Sequence, residues 1–192
     1  MENFNELVDL VAPSKNAKNK GNEKMWAQIR PQASLPDWLF PFFHTYGSGV
    51  FAGFDNKGGF LDFLAIMNVF EKPFLDRHRA MGEFFSGSNE ISRLPFVFFP
   101  EAPDGLFPIT QTDQAMFLLI DPKNERRVFV TDNHLCYFRE IGHNYVDYLI
   151  MLFQGRISDL WSIPKKATVS TVTVVDSWGD AQRIPRADYY DD

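Results

Sequence analysis

Four aspartates, Asp104, Asp113, Asp121 and Asp132, recur through one stretch of the chain. Their type and spacing come nearest to chemistry. Two carboxylates that share a cleft can act as general acid and general base. Each of the four also stands in or beside a turn signal. Turns attract aspartate because its side chain hydrogen-bonds the backbone that follows. A third role is an acidic rim that engages a basic partner. The pattern favours the turn role over the catalytic one. The histidines at 44, 78, 134 and 143 show no i, i+4 metal-ligand spacing. His78, between Arg77 and Arg79, lies on the apolar face of an expected helix and reads as a packed or edge histidine. Cys136 is the only cysteine, which excludes an internal disulfide and a multi-cysteine zinc site. Paired with His134 or His143 it would form a nucleophile and base. It sits in the apolar run HLCYF, however, where a small buried residue is the simpler reading. The sequence has no glycine-rich phosphate loop and no GxSxG nucleophile elbow. No cofactor and no metal are expected.

Those aspartates need elements to hold them. Ala115 to Ile120 and Arg127 to Thr131 are β-rich runs separated by Asp121 to Glu125, which predicts a hairpin with a loop of about five residues. Asp104-Gly105 is a turn signal before a short strand, Leu106 to Thr110. Asp132-Asn133 is another turn, followed by a strand over Leu135 to Phe138. Together these give an antiparallel meander. Upstream, Leu35 to Phe51 (LPDWLFPFFHTYGSGVF) holds a Leu-Pro helix start with Pro36 at the first helical position. Leu39, Phe42, Phe43 and Tyr46 lie on one face. Gly47 or Gly49 supplies the positive φ that ends the helix. Pro41 is expected to remove one helical bond and kink the helix near its start. Val50 to Phe54 reads as a strand, Asn56 to Gly59 as a turn and Phe60 to Met67 as a strand entering the core.

The flanks are simpler. Phe4, Leu7, Val8 and Val11 repeat at helical spacing up to Pro13. Residues 14–24 (SKNAKNKGNEK) are lysine-rich and read as a mobile, solvated linker. Met25, Trp26 and Ile29 form a short helical face before Pro31. A helix from Pro73 to Gly87 and an extended run from Leu94 to Pro100 follow in the middle of the chain. Tyr145 to Phe153 is a helix capped by Asn144 or His143 and closed by Gly155. Thr168 to Val175 alternates polar and apolar residues, as a strand with one exposed face does. The last residues are acidic and expected to fray.

The chain has 192 residues, 45% of them hydrophobic and 16% aromatic, enough for a core without staples. Its twenty Phe residues are read as an aromatic core rather than an exposed patch. A net charge of −6 argues against a nucleic-acid binder, which needs basic groups to neutralise phosphates. It suits a basic protein partner. There is no signal-peptide pattern at the start and no apolar stretch of about 20 residues, so a cytoplasmic protein without a membrane contact is expected.

Taken in order, these segments resemble the SUKH superfamily, which includes bacterial immunity proteins of polymorphic toxin systems and fungal cell-wall-synthesis regulators. The matching pieces are Trp26, then Leu35-Pro36, then Tyr46-Gly47-Ser48-Gly49-Val50-Phe51. Met67-Asn68-Val69-Phe70 is similar to the family's Asn-Pro-Phe element, with valine in place of proline. Phe98-Phe99-Pro100-Glu101 and Gly105-Leu106-Phe107-Pro108-Ile109 resemble its Phe-Pro-Glu and Gly-Leu-x-Pro strand. Thr112-Asp113 is followed by Gln114-Ala115, where relatives often carry Gly-Asp. Tyr148 to Gly155 resembles the closing helix.

The similarity spans 24–158, leaving 1–23 as a helix and polar linker and 159–192 as an extension with a late strand and acidic tail. It implies an α+β fold, a curved and mainly antiparallel sheet with N-terminal and C-terminal helices packed on it. It also implies a non-enzymatic protein that binds and neutralises a cognate toxin domain, often a nuclease or deaminase. The alternative is a regulatory scaffold like the fungal relatives. Asp104, Asp113, Asp121 and Asp132 are the expected binding residues, with Tyr46 or Phe107 as aromatic anchors. An enzyme that uses Asp113 and Asp132 as a carboxylate pair is the third reading.

Overall fold

A computed structural model describes residues 3–58, 60–71, 80, 102, 104–112, 114–132, 135, 137–157, 171–176 and 180. The expected helix at 73–87 with His78 lies outside them, apart from the single residue 80, and so does the extended run at 94–100. Asp113, His134, Cys136 and residues 168–170 also lie outside. The fold is α+β. Helix α1 spans Phe4–Leu10 and α2 Glu23–Ile29, with a 3-10 turn at Arg30–Gln32. Helix α3 spans Leu39–Tyr46 and α4 Tyr145–Phe153. The strands are β1 Val50–Phe54, β2 Phe60–Ile66, β3 Phe107–Thr112, β4 Met116–Asp121, β5 Asn124–Asp132, β6 Phe138–Glu140 and β7 Thr171–Val175. They form one antiparallel sheet in the order β6-β5-β4-β3-β2-β1-β7. Six strands thus run as a plain meander, and β7 returns to extend it beyond β1.

Strand alternation sorts the apolar side chains. Phe51, Leu64, Ile66, Phe107, Leu118 and Val130 join the helices in the main core. Val50 and Ala52 form one smaller buried cluster, and Phe117, Leu119 and Phe129 belong to another. Strands β1, β4 and β5 therefore bury apolar side chains on both faces. Among the described residues, Phe42, Phe43, Phe51, Phe70, Phe107, Phe117 and Phe129 are buried, as the core reading expects. Among the described residues the single large hydrophobic that is well exposed is Leu10.

Helix α3 shows why local propensity alone is a poor guide. LFPFFHTY is short, and an isolated helix of eight residues is marginal in water. Leu39, Phe42, Phe43 and Tyr46 are all fully buried. At about 1.5–3 kcal/mol each, that burial is worth roughly 6–12 kcal/mol and holds the helix. The helix begins at Leu39, not at Pro36, so Pro41 is its third residue and lies within the first turn. The N–H groups there have no intrahelical partner in any case. Asp37 O, the acceptor that a Pro41 N–H would have used, takes the Phe40 N–H instead at 3.2 Å. The expected loss of a helical bond therefore does not arise. At the far end Gly47 takes φ 60° and donates to Phe43 O at 2.8 Å. Gly49 is required for space, because a Cβ there would lie 2.8 Å from Val174 Cγ1 and 2.9 Å from Tyr46 O.

Three other expectations shift. The β4–β5 turn is two residues, Pro122-Lys123, because Asp121 pairs with Asn124. Ile120 pairs with Val128, so residues 125–127 are extra on β5 and bulge out of register. The third meander strand is Phe138–Glu140, later than Leu135 to Phe138, because Leu135 sits in the turn at φ 57°. The lysine-rich segment after α1 is pinned to the fold rather than free. Its Lys18 O accepts from Ser48 N at 2.9 Å, and its Asn19 O accepts from Asn68 Nδ2 at 2.9 Å. Ser14 Oγ donates to Asp176, directly after β7. Gly21 lies so close to the Phe70 ring that a Cβ would come within 2.4 Å of it. Helix α4 matches expectation: Asn144 accepts from Asp147 N at 2.9 Å, and Gly155 takes φ 67° beyond its end.

Candidate functional site

The β4–β5 hairpin turn gathers charge at one end of the sheet. Asp121 closes β4, and its carboxylate accepts from Lys123 N at 2.9 Å, the turn chemistry expected of it. Lys123 then reaches across to Asp104, just before β3, with Nζ–Oδ2 at 2.6 Å. Arg127, in the bulge, lies 3.4 Å from Asp121 Oδ2. The same guanidinium donates twice to Glu140 of β6, at 3.0 Å from both Nε and Nη2. It also stands over the Phe129 ring, 5.1 Å from the centroid. A planar fork that meets a carboxylate bidentately while resting on an aromatic face is the geometry arginine makes and lysine does not.

Electrostatics follow from these pairs. The Lys123 hydrogen bond holds the Asp104 carboxyl below the ordinary aspartate range, and Asp104 in turn raises Lys123. The Arg127 hydrogen bond lowers Glu140, and Glu140 raises Arg127. A general base needs a carboxyl raised toward neutrality. These are shifted the other way and remain anions. The end thus holds two ion pairs, Asp104–Lys123 and Glu140–Arg127.

The four aspartates do not form one group. Asp104 and Asp121 share the charged end. Asp132 lies at the opposite end, where it pairs with Met116, the first residue of β4. Five strand steps separate Met116 from Asp121, about 17 Å at the usual rise. Asp132 accepts from Tyr137 N at 3.3 Å, as a turn aspartate does. Asp113 lies outside the described residues. An acidic rim is one reading of these aspartates; Asp104 and Asp121 stand at a mixed-charge end, since Lys123 and Arg127 lie among the carboxylates. The two aromatic anchors are corrected. Tyr46 and Phe107 are both 0% exposed and offer nothing to a partner. Tyr46 Oη instead donates to Val11 O at 3.0 Å and ties α1 to α3, while burial pushes its phenol up.

Sequence reading missed Lys123, Arg127 and Glu140 as members of the charged end. Arg127 and Glu140 are 13 residues apart in sequence, and only the β5–β6 register makes them neighbours. It also missed Asn68, buried at 1% exposure, which receives Phe70 N at 2.8 Å and holds the lysine-rich strap between α1 and α2 through Asn19 O. A polar residue inside Met67-Asn68-Val69-Phe70 was the available signal. Among the described residues, no group of three His, Cys, Asp or Glu could hold a metal ion. No helix there is long and apolar enough to cross a membrane. Compared with known proteins, the chain matches no family model, no curated protein and no solved structure.

Proposed function

We propose that this protein is a non-enzymatic immunity protein of the SUKH type that binds and neutralises a cognate toxin domain in the cytoplasm. The observation that carries the reading is the ordered motif set, above all Trp26, Leu35-Pro36 and Tyr46-Gly47-Ser48-Gly49-Val50-Phe51. Support comes from the parts these residues play in the fold. Trp26 and Leu35 lie in the main core, and Gly47 and Gly49 turn α3 into β1. Further support is the net charge of −6, which steers a basic partner such as a nuclease domain. The contact surface of this reading is the charged end, where Asp104 and Glu140 keep exposed carboxylates of 45% and 43%. A partner's lysine or arginine would compete there with Lys123 and Arg127.

The test is co-expression with the toxic gene encoded beside this one. The reading expects survival and a stable complex, with slower association for Asp104→Lys and Glu140→Lys. Equal killing with and without the protein overturns it. Copurification with a resident cellular protein in place of the toxin moves the assignment to the regulatory scaffold.

A further inference from the structure

The two edges of the sheet are built differently. Edge strands expose unpaired backbone groups, and proteins guard them with charges, prolines, bulges or very short strands. Strand β6 is guarded, since it has three residues and two of them are Arg139 and Glu140. Strand β7 has none of these devices. Thr171–Val175 is β-branched at every position and uncharged, and it pairs with β1 without a register shift. Among the described residues β1 is the one strand that pairs with it.

The strand is also self-complementary. In an antiparallel pair centred on Thr173, Thr171 meets Val175, Val172 meets Val174 and Thr173 meets its own copy. No like charges are opposed. Val172 gains most, because its neighbour across β1 is Gly53, which offers it no side chain. Cross-strand pairs of β-branched residues and of threonines are favourable. We propose that β7 is an interface for a second copy of this chain, joining two sheets edge to edge about a two-fold axis at Thr173. This leaves the charged end around Arg127, on the far side of the sheet, free in both copies. Five residues make a small interface beside a standard one, so the dimer forms in a concentration-dependent way.

Sedimentation equilibrium of the full chain reads the mass directly. The expected result is a shift with concentration from 22.2 kDa toward twice that value. Thr173 is exposed, and a charge there lies opposite its own copy with Cβ atoms about 5 Å apart. Thr173→Lys and Thr173→Glu should each weaken self-association by about fivefold or more, and an equal mixture of the two should restore it as a heterodimer. For the wild-type chain, amide exchange at 171–175 should slow as protein concentration rises. A chain that stays monomeric at its highest soluble concentration overturns the proposal. So does a dimer indifferent to both charges, or β7 protection that appears only when another protein is added.

Discussion

Gly47→Ala tests the corner between α3 and β1. Gly47 sits at φ 60° and ψ −139°, a combination that side-chain-bearing residues avoid. Forcing alanine into such a region costs about 1–3 kcal/mol. Space adds to the backbone term. The new Cβ would lie 2.1 Å from Lys18 O, a backbone atom that cannot swing aside as a side-chain tip would. The strap must move, and the Ser48 N–H to Lys18 O bond of 2.9 Å is lost, about 0.5–1.5 kcal/mol more. The expected total is about 2–4 kcal/mol. For a chain of this length that lowers Tm by roughly 4–16 °C. Urea melts followed by circular dichroism and tryptophan fluorescence should show a lower midpoint at an unchanged slope. Gly58→Ala is the control, since Gly58 has φ 78° but nothing within 4 Å of its Cβ position. It isolates the backbone term at about 1–2 kcal/mol. If Gly47→Ala is no worse than Gly58→Ala, the close approach of the strap is not a constraint and the reasoning fails.

Further outcomes follow from the same contacts. Tyr46→Phe strands the buried Val11 carbonyl and should cost about 1–3 kcal/mol, with faster amide exchange in α1; unchanged exchange would show that the hydrogen bond does not hold that helix. Burial raises the Tyr46 and Tyr145 phenols in the folded chain. Unfolded tyrosines lose their protons near 10, so the native state then binds more protons, and the stability held below about pH 10 should fall above it. Absorbance titration should show these two ionising only as the fold melts. Pro41→Ala should change stability by less than about 1 kcal/mol, whereas relieving a proline in a helix interior gains about 3 kcal/mol or more. Arg127→Ala should let the Glu140 carboxyl titrate upward toward the ordinary glutamate range, readable by NMR. The depressed values of Asp104 and Glu140 contribute stability above the unfolded carboxylate range, which is lost as pH falls through their folded values.

Periodicity and turn chemistry are local, and so the sequence determined much of the element order. The apolar face of α3, the glycine that ends it, the Asn144 cap and the aspartate turns each follow from a few adjacent residues. So does the alternating run that became β7. Register and approach are not local, and only the tertiary structure decided them. Pro41 is harmless because the helix starts two residues before it, a boundary fixed by which side chains the core buries. Arg127 meets Glu140 because β5 and β6 pair in one register. Tyr46 is a core residue tied to Val11, although its place at a helix end suggested a contact for a partner. The lysine-rich strap is ordered because distant groups, Asn68, Ser48 and Asp176, each hold one of its residues. The charged end of the hairpin is likewise an assembly of four segments, with no signature in any one of them.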